Sequence, residues 1–280
     1  MDNNYDDNVD NNYDYNMATV LALAVKEAYS KYTDPSHVIK LGSYKVLDFI
    51  YVHELEVEKV FFGFTATGSM SGRPPFSNIV ALRGTQSDDE ALEDLQWSFT
   101  PCYLPNDGST AYGNAGYGVY NFYAGTDLGT VHSLSHSFKS AVSNFDGSIT
   151  DWYICAHSLG GAAATLGALD AVVSGSYPNP QVRPKLYTFG SLHVGDAQFA
   201  AQFAQYVPEA YRVANLADWV PGLTGLDAAD TPGYVHVGLE CTFLWQKWGD
   251  WANHSMNDTY LETVQKYFGV IRFGPRKYPQ

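Results

Sequence analysis

The chain has 280 residues, 45% hydrophobic and only 16% charged, which is long and apolar enough to bury one sizeable core and excludes a disordered or fibrous chain. With 30 Asp+Glu against 16 Lys+Arg the formal net charge is -14, which excludes a surface built to collect nucleic-acid phosphates or strongly anionic lipid. A bilayer span needs an apolar run of roughly 18 to 20 residues, and the run from Met17 to Val25 is cut by Lys26 and Glu27, so no transmembrane segment is expected.

Residues 1–16 carry Asp2, Asp6, Asp7, Asp10 and Asp14 and no Lys or Arg, unlike the basic start of a secretory signal. Asp2-Asn3-Asn4-Tyr5-Asp6 returns as Asp10-Asn11-Asn12-Tyr13-Asp14, which predicts a flexible polar N-terminal extension, with residues 17–280 forming one domain. Val20, Leu21, Val25 and Tyr29 at helical spacing predict a helix over Met17–Tyr32, ended by Asp34-Pro35. Strands are predicted at Tyr44–His53, Val57–Thr65 and Asn78–Leu82, with turn residues at Gly68–Pro75. The stretch Gln86–Gly125, rich in Tyr, Gly and Asn, fits neither period and is expected to be a long loop at the substrate entrance.

Beyond about Thr126 helices and strands alternate. The expected order is a helix to Phe145, strand Trp152–Ala156, helix Leu159–Val173, strand Lys185–Phe189, helix Ala197–Tyr206, strands Ala210–Ala214 and Tyr234–Leu239, and a last helix after His254. Such alternation predicts an α/β fold, a mostly parallel sheet with helices on both faces.

The strongest chemical signal is Ala156-His157-Ser158-Leu159-Gly160-Gly161, between the apolar strand Trp152–Cys155 and a helix opening with Ala162-Ala163-Ala164. A sharp strand-to-helix turn of this kind holds a serine in a strained conformation, with tiny residues two positions either side, and aims the first helical N–H groups at a developing oxyanion. Taken alone, the same pattern also fits a serine that merely caps a helix.

Together with Ile79-Val80-Ala81-Leu82-Arg83-Gly84-Thr85, Tyr187-Thr188-Phe189-Gly190-Ser191, Val194-Gly195-Asp196, Tyr211-Arg212-Val213-Ala214-Asn215, Asp218-Trp219-Val220-Pro221, Gly233–Gly238 and Asn253-His254, the chain resembles the class 3 lipase family, the fungal-type α/β-hydrolases, over residues 17–270. The resemblance implies an α/β-hydrolase fold with a short lid and a serine carboxylester hydrolase in which Ser158 is the nucleophile, His254 the base and Asp218 the acid. It further implies an oxyanion hole from the backbone of Thr85 and Leu159. An imidazole is required because an unassisted hydroxyl is a poor nucleophile, and the carboxylate fixes the tautomer. Asp196, Asp227 and Asp230 are alternative acids. His236 matches a family histidine near the site without a proton-transfer role, His193 stands where a basic residue is expected, and His132 and His136 read as helix-surface residues. Arg83 reads as structural. Two departures from the pattern are Ala156 in place of glycine before the elbow and Ala115 in place of histidine before Gly116-Tyr117.

The lid is expected at Ser87–Trp97, strongly acidic for a segment meant to enter lipid. Of the aromatics behind it, Trp97, Phe99, Tyr103, Tyr112, Tyr117, Tyr120, Phe122 and Tyr123, some are expected to line an acyl pocket. The resemblance implies an acylglycerol or similar neutral ester as the expected substrate, with a transient lipid–water interface as a candidate partner. Rival readings are a feruloyl-type esterase on plant-wall aromatic esters and a catalytically silent lipase-fold binding protein. No cofactor or metal is implied, and nucleic acid is not a partner. Cys102 and Cys241 are a candidate bridge, with Cys155 a core residue. The sequons at Asn253 and Asn257 read as chance matches. Low Lys/Arg and abundant Tyr, Asn and Ser lean towards an extracellular protein.

Overall fold

The computed structural model describes residues 12–54, 57–85, 95–104, 109–125, 133–223, 233–266 and 272–273. Helix α1 (Tyr15–Thr33) is followed by β1 (Lys45–Glu54), β2 (Val57–Gly68) and β3 (Ser77–Leu82), then by β4 (Phe99–Tyr103), β5 (Ala111–Gly116) and α2 (Tyr117–Ala124). Next come α3 (Leu134–Ser143), β6 (Asp151–His157), α4 (Leu159–Val173), β7 (Lys185–Phe189), β8 (Gly195–Asp196) and α5 (Ala197–Tyr206). The chain continues through β9 (Ala210–Asn215), β10 (Tyr234–Val235), β11 (Leu239–Phe243), α6 (Glu262–Lys266) and β12 (Arg272–Phe273).

Eight strands form the main sheet in the order β1-β2-β3-β6-β7-β9-β11-β12. The five from β3 to β11 run parallel, and antiparallel strands close both edges. Alternate side chains of each central strand enter opposite cores, the period-2 geometry of an extended chain. Ile79, Ala81, Tyr153, Cys155, Tyr187 and Phe189 pack with α1, whereas Val80, Leu82, Trp152, Ile154, Ala156 and Leu186 pack with α4. Fully burying a side chain of this size contributes about 1.5 to 3 kcal/mol, so the two cores fix the sheet and with it the loops at the carboxyl ends of its parallel strands. A smaller sheet, β10-β8-β5-β4, lies alongside.

Several expectations are corrected. The helix begins at Tyr15, because the Asp14 side chain accepts from Met17 N–H at 2.9 Å and caps it. Tyr13 is buried against Tyr187 and Tyr211, so the expected flexible extension is packed from at least this residue on, and residues 1–11 lie outside the described residues. The single strand expected over Tyr234–Leu239 divides into β10 and β11 at Gly238, whose φ of 80° suits glycine and whose added Cβ would stand 2.8 Å from the Ala210 carbonyl. The long loop expected from Gln86 to Gly125 contains the β4–β5 hairpin and α2. The Cys102–Cys241 bridge does not form. All three cysteines are free and buried, and Cys102 belongs to the core on the α4 side of the sheet while Cys241 belongs to the core on the α1 side.

Candidate active site

Strand β6 ends at His157 and α4 begins at Leu159, leaving Ser158 alone at the bend. Its φ of 58° makes it the one non-glycine residue at positive φ among the described residues. Such a backbone costs on the order of 1 to 3 kcal/mol and persists only where the surroundings over-determine it. Here Ser158 N–H donates to the Phe189 carbonyl at 3.0 Å, and the Ser158 carbonyl accepts from Gly161 N–H at 2.8 Å. The end of β3 is wedged against the same bend: an added Cβ at Gly160 would lie 2.1 Å from the Arg83 carbonyl, and one at Gly84 would lie 2.7 Å from Ser158 Cβ. Gly160 is therefore small because of the β3 end. No side chain caps α4, so its first amides remain available for an anion at the helix N-terminus.

Asp218 lies in the turn after β9, with its side chain fully buried. Its Oδ2 lies 2.7 Å from His254 Nδ1 and accepts from the Tyr260 hydroxyl at 2.6 Å, while Oδ1 accepts from Val220 N–H at 3.0 Å. A carboxylate partner places the imidazole proton on Nδ1 and leaves Nε2 as the basic atom. That Nε2 is buried and without a hydrogen-bond partner, so no bond joins it to the Ser158 hydroxyl; bonds of this kind are often long in the resting enzyme. The His254 ring lies 4.5 Å, centroid to centroid, from the ring of His157, which immediately precedes Ser158. Trp251 meets His254 edge-on and in turn meets Trp219, forming an apolar wall beside the pair.

Tyr260 was not singled out by sequence reasoning. It is carried by a π-helical turn, Met256–Leu261, directly after His254, and turns of this kind concentrate at functional sites. Its hydroxyl also accepts from Asn215 N–H at 3.2 Å, and burial, then the Asp218 charge, push its pKa well up, so it stays a donor. Asn215 ties the three loops together: its amide donates to the Trp245 and Asn253 carbonyls and its side-chain oxygen accepts from Ala217 and Trp245 N–H. The sequence marks Asn215 as the last residue of the Tyr211–Asn215 motif but gives no sign of this bracing role.

Arg83 is buried, donating to the Phe61 and Gly84 carbonyls at 2.9 and 2.7 Å and stacking over Tyr32, which fixes the chain entering Thr85. Thr85 is half-buried one residue past Gly84, and Leu159 is buried at the first position of α4. His236 stacks on His193 at 3.5 Å and hydrogen-bonds the Pro221 carbonyl at 2.8 Å, bracing the turn after Asp218. Burial, then the nearby Arg212, lower both histidines, His193 to about 4. Asp196 caps α5 through Phe199 N–H and holds Asn114, and so is engaged away from His254. His136 is exposed on α3, whereas Asp227, Asp230, His132 and most of the expected lid, residues 86–94, lie outside the described residues. Among the aromatics, Trp97 and Phe99 pack on Tyr234, Phe122 on Phe62 and Tyr112 on Tyr206, while Tyr123 donates to Asp170. Asn253 is buried with its amide bonded to Lys247, and Asn257 is exposed. Among the described residues no group of three or more His, Cys, Asp or Glu is gathered as a metal would need, and no helix is long and apolar enough to cross a membrane.

Set beside known proteins, residues 79–228 match the family model described as Lipase (class 3). Lipase ZK262.3 of Caenorhabditis elegans is 39% identical over 84 residues, 29% of this chain and 23% of that protein. Phospholipase A1-II 4 of Oryza sativa subsp. japonica is 26% identical over 196 residues, 65% of this chain and 48% of that protein, so the chain spans less than half the length of either relative. The crystal structure of Lip2 lipase from Yarrowia lipolytica superposes with a TM-score of 0.61 at 18% identity, covering 90% of both chains, which shows a shared fold.

Proposed function

The chain belongs to the class 3 lipase family, and we propose that it is a serine carboxylester hydrolase working through an acyl-enzyme on Ser158. The observation that carries this reading is the Asp218 Oδ2 to His254 Nδ1 contact of 2.7 Å, which leaves a bare, buried Nε2 beside the strained bend that presents Ser158. In this reading Nε2 takes the Ser158 proton as Oγ attacks the ester carbonyl carbon. The resulting oxyanion is held by the backbone N–H groups of Leu159 and Thr85. Collapse expels the alcohol, which receives the proton from His254. A water deprotonated by the same nitrogen then attacks the acyl carbon, releases the acid and restores Ser158. Residues 17–280 act in it as one hydrolase domain.

The substrate class we infer is a neutral fatty ester such as an acylglycerol, met at a lipid–water interface. The negative net charge favours an uncharged ester. Phospholipid is the second reading, because the rice relative is named a phospholipase A1. Feruloyl esters have no observation of their own in favour, and the silent-module reading is opposed by the Asp218–His254 pair. The test is hydrolysis of p-nitrophenyl esters, emulsified triacylglycerol, phosphatidylcholine and feruloyl esters by wild type and Ser158→Ala. Fatty esters are cleaved by the wild type alone; cleavage retained by Ser158→Ala contradicts the reading.

A further inference from the structure

His157, the residue before Ser158, is buried at the end of β6 and its ring bonds to two distant parts of the molecule at once. Its Nε2 lies 2.8 Å from the main-chain carbonyl of His254, and its Nδ1 lies 2.7 Å from the hydroxyl of Tyr29 on α1. The same hydroxyl oxygen accepts from Gly84 N–H at 2.8 Å, one residue before Thr85.

The donors and acceptors admit one arrangement. A carbonyl oxygen only accepts, so Nε2 of His157 carries the proton and Nδ1 is bare. A bare Nδ1 accepts, so the Tyr29 hydroxyl donates to it, and an oxygen that has given its proton in that direction keeps lone pairs for Gly84 N–H. The chain of bonds therefore runs from the Gly84 amide through Tyr29 and His157 to the main chain of His254. It links four segments far apart in sequence, Tyr29 and His157 being 128 positions apart and His157 and His254 97.

We propose that His157 is a positioning residue: through Tyr29 and the His254 carbonyl it holds the oxyanion segment and the base in register with Ser158. The proposal rests on the reading of Ser158 and His254 given above. Burial keeps the relay in its one working form, because it disfavours the imidazolium of His157 and the phenolate of Tyr29 alike. A protonated ring would turn an N–H towards the Tyr29 hydroxyl and leave that hydroxyl without its acceptor. Neither His157 nor Tyr29 touches substrate in this account. Their effect is carried by where Thr85 N–H and His254 Nε2 stand, and misplacement of reacting groups by about 1 Å costs up to about a hundredfold in rate.

The test uses the full chain as wild type, Tyr29→Phe, His157→Leu, His157→Gln and the double variant Tyr29→Phe with His157→Leu. Measured are kcat and KM on a p-nitrophenyl ester, the inhibition constant of an alkyl boronic acid as an oxyanion mimic, and the fraction of enzyme titrated by a fluorophosphonate. Each single deletion is expected to lower kcat about ten- to a hundredfold with KM within about threefold, and to weaken the boronate by the same factor. The double variant is expected within about threefold of the slower single variant, because one chain has been cut twice. Glutamine, whose amide donates at the reach of Nε2 but offers Tyr29 no acceptor at the place of Nδ1, is expected to match Tyr29→Phe within about threefold. Losses that multiply, a boronate affinity that stays fixed while kcat falls, or a kcat loss explained entirely by a smaller titratable fraction would each overturn the relay. A wild type that the fluorophosphonate does not label at Ser158 speaks against the underlying reading and is thereby distinguished from failure of the relay.

Discussion

At the residue scale, the carboxylate of Asp218 is fully buried and engaged by His254 Nδ1, Tyr260 and Val220 N–H, so its two oxygens leave no freedom in the orientation of the imidazole. Replacing it with an amide puts an N–H group where only acceptors are wanted. Either the amide nitrogen opposes Nδ1–H, or the ring shifts its proton to Nε2 and stops being a base towards Ser158. Asp218→Asn is therefore expected to lower kcat on a soluble ester by about a thousand- to ten-thousandfold while circular dichroism keeps its native form. A loss below about tenfold would mean that some other group orients His254.

At the element scale, the site depends on how closely the start of α4 approaches the end of β3. The Cβ of Gly160→Ala would meet the Arg83 backbone carbonyl at 2.1 Å, and neither partner is the far end of a flexible side chain. This substitution is expected to cost about 2 to 4 kcal/mol in urea unfolding and to displace Thr85 from Leu159. Gly175→Ala is the internal comparison. Its φ of 64° strains an alanine, but no atom lies within 4 Å, so about 1 kcal/mol is expected there. Equal losses at the two positions would remove the close-approach argument. The ends of α4, β7 and α5 coincide with those read from the sequence, because turn residues, the Ser158 bend and the Asp196 cap punctuate them locally. The β4–β5 hairpin was not legible: Phe99–Tyr103 contains Pro101, Ala111–Gly116 contains two glycines, and the pairing that makes them strands is supplied by β8 and each other. At the site, Ser158 was marked by its bend, and Asp218 and His254 by ordered motifs. Tyr29 is legible only as part of a helical stripe, His157 only as part of the bend motif and Tyr260 not at all, since each acts through a bond that only the folded chain closes.

At the scale of the whole molecule, His157, His193 and His236 are all held below the ordinary histidine range, chiefly by burial, with His254 opposing a charge on the first and Arg212 on the other two. Groups kept neutral in the fold bind protons more readily once unfolded, so stability is flat above about pH 6.5 and falls as pH drops below it, down to about 4 for His193. Each such histidine adds a slope approaching about 1.4 kcal/mol per pH unit in that window. Partial neutralisation of the -14 net charge acts in the opposite direction, so the expected signature is a difference: His193→Gln loses less stability than wild type between pH 6.5 and 4.5. Identical pH profiles would show that burial does not hold His193 neutral. In the proposed mechanism a single oxygen, Ser158 Oγ, is made nucleophilic by His254. Its most direct measurement is reaction of the folded chain with a fluorophosphonate followed by peptide mapping. The label is expected on Ser158 alone, slowed about a thousandfold or more in His254→Asn, and absent from Ser158→Ala; label on another residue, or undiminished label in either variant, would contradict it.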